Sequence, residues 1–167
     1  MLGTNLRFEK TRANLVSAAC LLLIFSGLFF DTRTQAAEPS HLLRDFDRMG
    51  LVIKTSTGPC VFINTYVATN EASRAQGLMY IENLGEFEGM LFIYRRPAKI
   101  SMWMKNTLIA LDMLFVRENQ TIARIVTDTV PLSTETIFSR EPVTTVLELN
   151  AGSAQRWGIQ VGDRIFR

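Results

Sequence analysis

From residue 51 onward the chain is built of short β-rich runs separated by turn residues. Leu51–Thr55 and Val61–Val67 are joined by Ser56-Thr57-Gly58-Pro59, which predicts a hairpin. Thr69 can cap a short helix running to about Leu78, with Gly77 near its end. Tyr80 to Gly89 reads as a turn-rich loop. Met90–Tyr94 is a continuous apolar run, expected to be a buried strand, and Lys99–Met104 is another candidate strand. Asp112–Arg117 and Thr121–Thr127 flank Glu118-Asn119-Gln120, a second hairpin. Breaks at Pro131, Ser133 and Pro142 make 128–143 a long loop. Thr144–Leu149 is a strand, Asn150 caps a short helix through Trp157, and Gln160–Phe166 is a turn and a last strand. This predicts an α+β domain dominated by β: a compact, strongly bent or barrel-like sheet of seven or eight short strands with two short helices. Bending or closure removes exposed edges.

The first fifty residues have a different texture. Arg7, Lys10 and Arg12 outweigh Glu9 in a polar opening, and residues 15–30 are uncharged. Thr34-Gln35-Ala36 then offers a small-x-small cleavage site. These are the parts of a secretory signal, expected to span residues 1–36. The apolar run of 16 residues is a little short of the ~20 that span a bilayer, so an uncleaved inner-membrane anchor is the rival. Lipidation at Cys20 is disfavoured because the apolar run continues past it. Residues 37–50 read as a tether in which Leu42, Leu43 and Phe46 can dock on the domain.

Removing the signal changes the charge. It takes four of the 18 basic and two of the 16 acidic residues, leaving fourteen of each. The exported portion is neutral, and nothing in it asks for nucleic acid, which needs a basic patch. Cys60 is left alone, so an internal disulfide is excluded. About 130 residues can bury enough surface to fold by packing alone.

The candidate chemistry begins with absences. The one histidine, His41, lies in the tether. No His/Cys cluster has metal-ligand spacing, no nucleophile has a histidine partner in the domain, and no glycine loop cradles phosphate. No catalytic residue, metal or cofactor is therefore expected. What remains is Trp103-Met104-Lys105-Asn106-Thr107 followed by Leu111-Asp112-Met113, with charges set among apolar neighbours. Such a charge is paired or turned to solvent, because a lone buried charge is costly. Glu148 within Val146-Leu147-Glu148-Leu149 has the same look, as does Arg74 on the first helix. Arg74, Lys105, Asn106, Thr107, Asp112 and Glu148 form the candidate ligand site. Lys105 and Arg74 would meet an anion, and Asp112 or Glu148 would orient it. The competing view is a structural ion network plus turn chemistry. Met102 and Met104 on one strand face suggest Cu(I), but no harder ligand stands near, and methionine is an ordinary core filler.

Several blocks occur in an order that resembles a known family. They are Thr69-x-Glu71-x-x-Arg74-x-Gln76-Gly77-Leu78-Met79, Glu88-Gly89-Met90-Leu91-Phe92, Trp103-Met104-Lys105-Asn106-Thr107 with Leu111-Asp112, and Val146-Leu147-Glu148-Leu149 with Gly158-Ile159-x-Val161-Gly162-Asp163. From about residue 51 to the end, the chain resembles the exported prokaryotic family catalogued as domain of unknown function 192. The resemblance implies a compact, β-rich, exported domain and brings no activity. Ala110 and Met102 depart from it, standing where members often have proline and an aromatic. The expectation is an exported, non-enzymatic module that binds a small molecule or an envelope protein in the periplasm or outside the cell. It touches membrane only through residues 15–30, if these are retained. The alternative is an envelope-acting enzyme using Asp112 or Glu148 with Lys105.

Overall fold

A computed structural model describes residues 41–167; the expected signal and the first residues of the tether lie outside them. After a 3-10 turn at His41–Leu43 the chain forms β1 (Asp47–Lys54), β2 (Val61–Ala68), α1 (Glu71–Gln76), β3 (Glu88–Met102), β4 (Leu111–Val116), β5 (Ile122–Val126), β6 (Ile137–Asn150), α2 (Ser153–Arg156) and β7 (Arg164–Phe166). One sheet holds all seven strands in the order β5-β4-β6-β3-β2-β1-β7. Only β2 and β3 are parallel neighbours.

Both expected hairpins form, β1 with β2 and β4 with β5. The sheet almost closes on itself. β7 pairs with β1 on one side, and on the other its approach meets the entry of β5. There the Ile122 amide donates to the Asp163 carbonyl at 2.8 Å, the Gly162 amide to the Ile122 carbonyl at 2.9 Å, and the Ile165 amide to the Gln120 carbonyl at 3.0 Å. Asp163 secures this seam. Its carboxylate accepts from the Ser56 amide at 2.8 Å and the Gln160 amide at 2.7 Å, tying the β1–β2 turn to the C-terminal turn.

Two apolar layers result. Leu51, Ile63, Leu91, Leu114, Ile122, Leu147 and Ile165 represent the seven strands in the barrel interior, with Ala154 and Ile159 packed among them. Tyr66, Met90, Phe92, Met113, Phe115 and Val146 face outward and are covered by Leu43, Leu78, Ile81, Ile100, Met102 and Met104. Leu42 and Phe46 pack on this outer layer too, so the segment read as a tether docks, and its last residues already belong to β1.

The covering arm comes from an unexpected continuity. Met90–Tyr94 and Lys99–Met104 were expected as separate strands, but β3 runs unbroken through Met102. The second part of the expected 128–143 loop is strand, because β6 starts at Ile137. Pro142, one of the residues that suggested a break, sits where the ladder is irregular. Register shifts fall between Ile93 and Ala98 and between Lys99 and Ser101, with Pro142 opposite Lys99. Bulges are where a sheet tolerates proline. They also fold the strand back: Tyr94 Oη lies 3.8 Å from Met102 Sδ. Eight residues of straight strand would span about 26 Å.

The helix caps differ by a residue or two from expectation. Asn70, not Thr69, caps α1, exchanging hydrogen bonds with Ser73 in a capping box. Gly152 precedes α2, while Asn150 ends β6 and donates to the carbonyls of Leu84 and Gly85 at 2.9 and 3.1 Å. Among the described residues no helix is long and apolar enough to cross a membrane.

Candidate functional site

β6 lies between β3 and β4 with both faces covered, so each of its central side chains enters one of the two apolar layers. Glu148 enters the outer one. It stands in register between Met90 and Met113, and is 4% exposed. Its carboxyl has no hydrogen-bond partner among the described residues, and it faces a pocket. Burial away from water penalises the charged form. The pKa is pushed up from 4.5 to about 8, so the group is neutral at pH 7.

The pocket has a volume of about 270 Å³. One wall is α1 and the residues that follow it. Gly77 takes φ +48° there, and a Cβ at that position would sit 3.0 Å from the Phe92 ring. The other wall is the folded-back arm, with Ser101, Met102 and Trp103. Arg74 projects from α1 and is held by backbone: Nη1 donates to the carbonyls of Thr69 at 2.7 Å and Ile93 at 3.3 Å. Its guanidinium lies 5.0 Å from the centre of the Tyr94 ring, and it makes no ion pair among the described residues. Burial raises the Tyr94 pKa; the Arg74 charge opposes this and Glu148 adds to it. Thr107 closes the lining, its amide bonded to the Met104 carbonyl at 3.0 Å. The pocket thus offers one cation with spare donors, the neutral Glu148 carboxyl, the exposed Glu71 carboxyl, the Gln76 amide, the Tyr94 phenol and the Ser101 and Thr107 hydroxyls, between apolar walls of Leu78, Met79, Phe92 and Met102. Among the described residues no three His, Cys, Asp or Glu side chains gather as a metal-ligand set.

Of the six candidate residues, the structure brings Arg74, Thr107 and Glu148 to this pocket. Lys105 is not among them: it is exposed and makes no ion pair among the described residues. Asn106 supports the rim from outside the lining. At φ +57° it carries the turn, its Nδ2 lies 3.8 Å from Met79 Sδ, and its carbonyl accepts the Tyr80 amide at 2.8 Å. Asp112 points to the opposite face of the sheet. Met113 is the residue in register with Glu148, whereas Asp112 is in register with Leu149, and strand period two does the rest. The Asp112 carboxylate is occupied, accepting from the Asp128 amide at 3.0 Å and the Ala154 amide at 2.8 Å. A shared Lys105–Asp112 arrangement is therefore not formed. Sequence reasoning missed Tyr94, Met102 and Trp103 as pocket residues. The alternation Met90, Phe92, Tyr94 was a usable signal, since it places Tyr94 on the face that Glu148 uses.

Removing the Asp112 carboxylate should strand the buried Ala154 amide and release the part-buried Asp128 amide. Asp112→Ala is expected to lose about 3–5 kcal/mol in urea unfolding, whereas Lys105→Met should change stability by less than about 0.5 kcal/mol. Equal effects would contradict these placements. Glu148 sets a pH dependence. Between 4.5 and about 8 the folded chain keeps a proton that the unfolded chain has released. The associated stability is complete below the lower value and lost as pH rises through the upper one. Relative to Glu148→Gln, the wild-type protein should lose on the order of 3–5 kcal/mol between pH 5 and 9. A flat difference across that range would mean the carboxyl is solvated.

Comparison with known proteins gives this fold relatives without giving it an activity. No functionally curated protein matches the chain. A structure from Sinorhizobium meliloti, described as a candidate transcription regulator, is 40% identical, with 72% of this chain and 94% of that chain covered and a TM-score of 0.71. A protein of unknown function from Novosphingobium aromaticivorans is 32% identical, with 72% and 85% covered and a TM-score of 0.70. The family model for domain of unknown function 192, described as an uncharacterised ACR, matches residues 52–166. With that match covering more than half of the chain, the protein belongs to the domain of unknown function 192 family.

Proposed function

We propose that this protein is an exported, non-enzymatic binding domain whose pocket under α1 takes a small organic anion. One observation carries the proposal: the Glu148 carboxyl, with no hydrogen-bond partner among the described residues, opens into the same pocket as Arg74, a cation that makes no ion pair among the described residues. An apolar pocket leaves such a carboxyl poorly solvated, and a ligand carboxylate would satisfy both residues at once. Arg74 supplies the charge, and protonated Glu148 donates a hydrogen bond. The volume suits a small molecule better than a polymer.

The enzymatic alternative needs Asp112 or Glu148 beside Lys105; Lys105 is outside the pocket that holds Glu148, and Asp112 is engaged on the other face, so binding is the reading the geometry supports better. The relative described as a regulator does not bring nucleic acid with it, because the exported portion balances fourteen basic and fourteen acidic residues. The location rests on the signal at residues 1–36. Mass spectrometry of the exported protein should find an N-terminus at Ala37. A chain retaining residues 15–30 in the inner membrane would replace the cleaved signal by an anchor.

Hexanoate is a suitable probe by calorimetric titration. Arg74→Gln should weaken it roughly 10–100-fold, the worth of a charge-assisted hydrogen bond. Wild-type affinity should hold below about pH 8 and fall above it, as Glu148 ionises and repels the ligand. Glu148→Gln should remove that fall. Preferential uptake of hexylammonium over hexanoate would overturn the reading.

A further inference from the structure

The mouth of the pocket carries a second feature. Three large apolar side chains stand in solvent there: Tyr80 at 57% exposure, Trp103 at 52% and Leu132 at 58%. Exposed apolar residues are ordinary singly but not when gathered. These are gathered by main-chain bonds to one turn. The Tyr80 amide donates to the Asn106 carbonyl at 2.8 Å, the Leu132 amide to the Thr107 carbonyl at 3.0 Å, and the Met104 amide to the Ser133 carbonyl at 3.1 Å.

Two of the three also pay in backbone conformation. Tyr80 has φ +61° and Leu132 φ +62°, the left-handed region that a side chain with a Cβ disfavours. The neighbouring turn residue in that region is Asn106, an ordinary choice. Stability alone would favour Gly or Asn at 80 and 132, with no apolar surface in water. Strain and exposure at the same two residues mark a place where ordering serves something other than folding.

The rim is continuous with the pocket. Trp103 and Thr107 line the interior, and Met79, another lining residue, precedes Tyr80. The interior, at about 270 Å³, has room for a polar head and a few carbons. Anything longer leaves through this mouth. A protein partner needs about 20–30 residues on each side, far more than this rim provides. We infer that the rim of Tyr80, Trp103 and Leu132 seats the alkyl tail of an amphiphilic carboxylate whose head is held by Arg74 and Glu148. This rests on the pocket reading above and names its ligand class.

The test is a chain-length series, from butanoate through hexanoate and octanoate to decanoate, titrated below micelle formation. Wild-type affinity should climb by up to about fourfold per added methylene once the chain passes the mouth, the equivalent of about 0.8 kcal/mol per CH₂. Leu132→Gly, whose side chain is outside the interior lining, should hold butanoate within twofold of wild type and lose most of the gain for decanoate. Because glycine suits the left-handed backbone at 132, the same variant should unfold at a higher urea concentration, which rules out damage to the fold as the cause. If butanoate binds and affinity is flat along the series, the rim inference falls and the pocket reading stands. If no member binds, both fall. A wild-type dimer in sedimentation that Leu132→Gly dissociates would assign the rim to a second copy of the chain and overturn the inference.

Discussion

The architecture depends on the burial of β6 from both sides. It is the strand between β3 and β4 in a nearly closed sheet, with one apolar layer inside the barrel and another outside. The stretch from Val146 to Leu149 has no solvent face, so it should read as continuous apolar sequence. Val146, Leu147 and Leu149 obey, and Glu148 is the exception. Its tolerance follows from neutrality: the carboxyl keeps its proton, and the fold avoids burying a charge. The outer layer over Glu148 is also where covering is done by loops, a six-residue helix and a bent arm instead of by strands. A pocket at that spot and a hydrophilic residue beneath it are two aspects of one incomplete cover.

The two other buried acidic residues serve the opposite purpose. Asp112 and Asp163 each accept two backbone amides, at least one of them from a segment distant in sequence. One links β4 to the start of α2, and the other links the first hairpin to the last turn. Each pair of bonds uses both oxygens of its carboxylate and holds an end of the barrel together. Three acidic side chains with similar burial thus divide into two clasps and one open group. What separates them is the number of amides within reach.

Much of this was legible beforehand because sheets leave a simple pattern. The hairpins at 51–67 and 112–127 and the dominance of β follow from period-two runs between turn residues. Glu148 stood out for the same reason. Lys105 stood out too, and its apolar neighbours suggested pairing. In the structure Met104 and Thr107 turn inward while Lys105 faces water, a choice made by the turn at Asn106 that hydrophobicity does not encode. The arm escaped notice because breaks such as the one at Pro142 look like stops. Bulges absorb them and continue the ladder, and bulges depend on pairing between segments about forty residues apart. The partnership of Tyr94 with Met102 was beyond any local reading for that reason.

The folded-back arm has a consequence for how such a domain diversifies. Floor and cover of the pocket come from one strand: Phe92 and Tyr94 before the bulges, Met102 after them. The interior of the barrel is built from other residues, and the seam at β7 is remote from the arm in the sheet order. Substitution, insertion or a shift of register within 94–102 would therefore reshape the cavity without entering the interior that sustains folding. The scaffold separates the residues that shape the cavity from those that fill the barrel, so relatives with the same barrel can present different cavities.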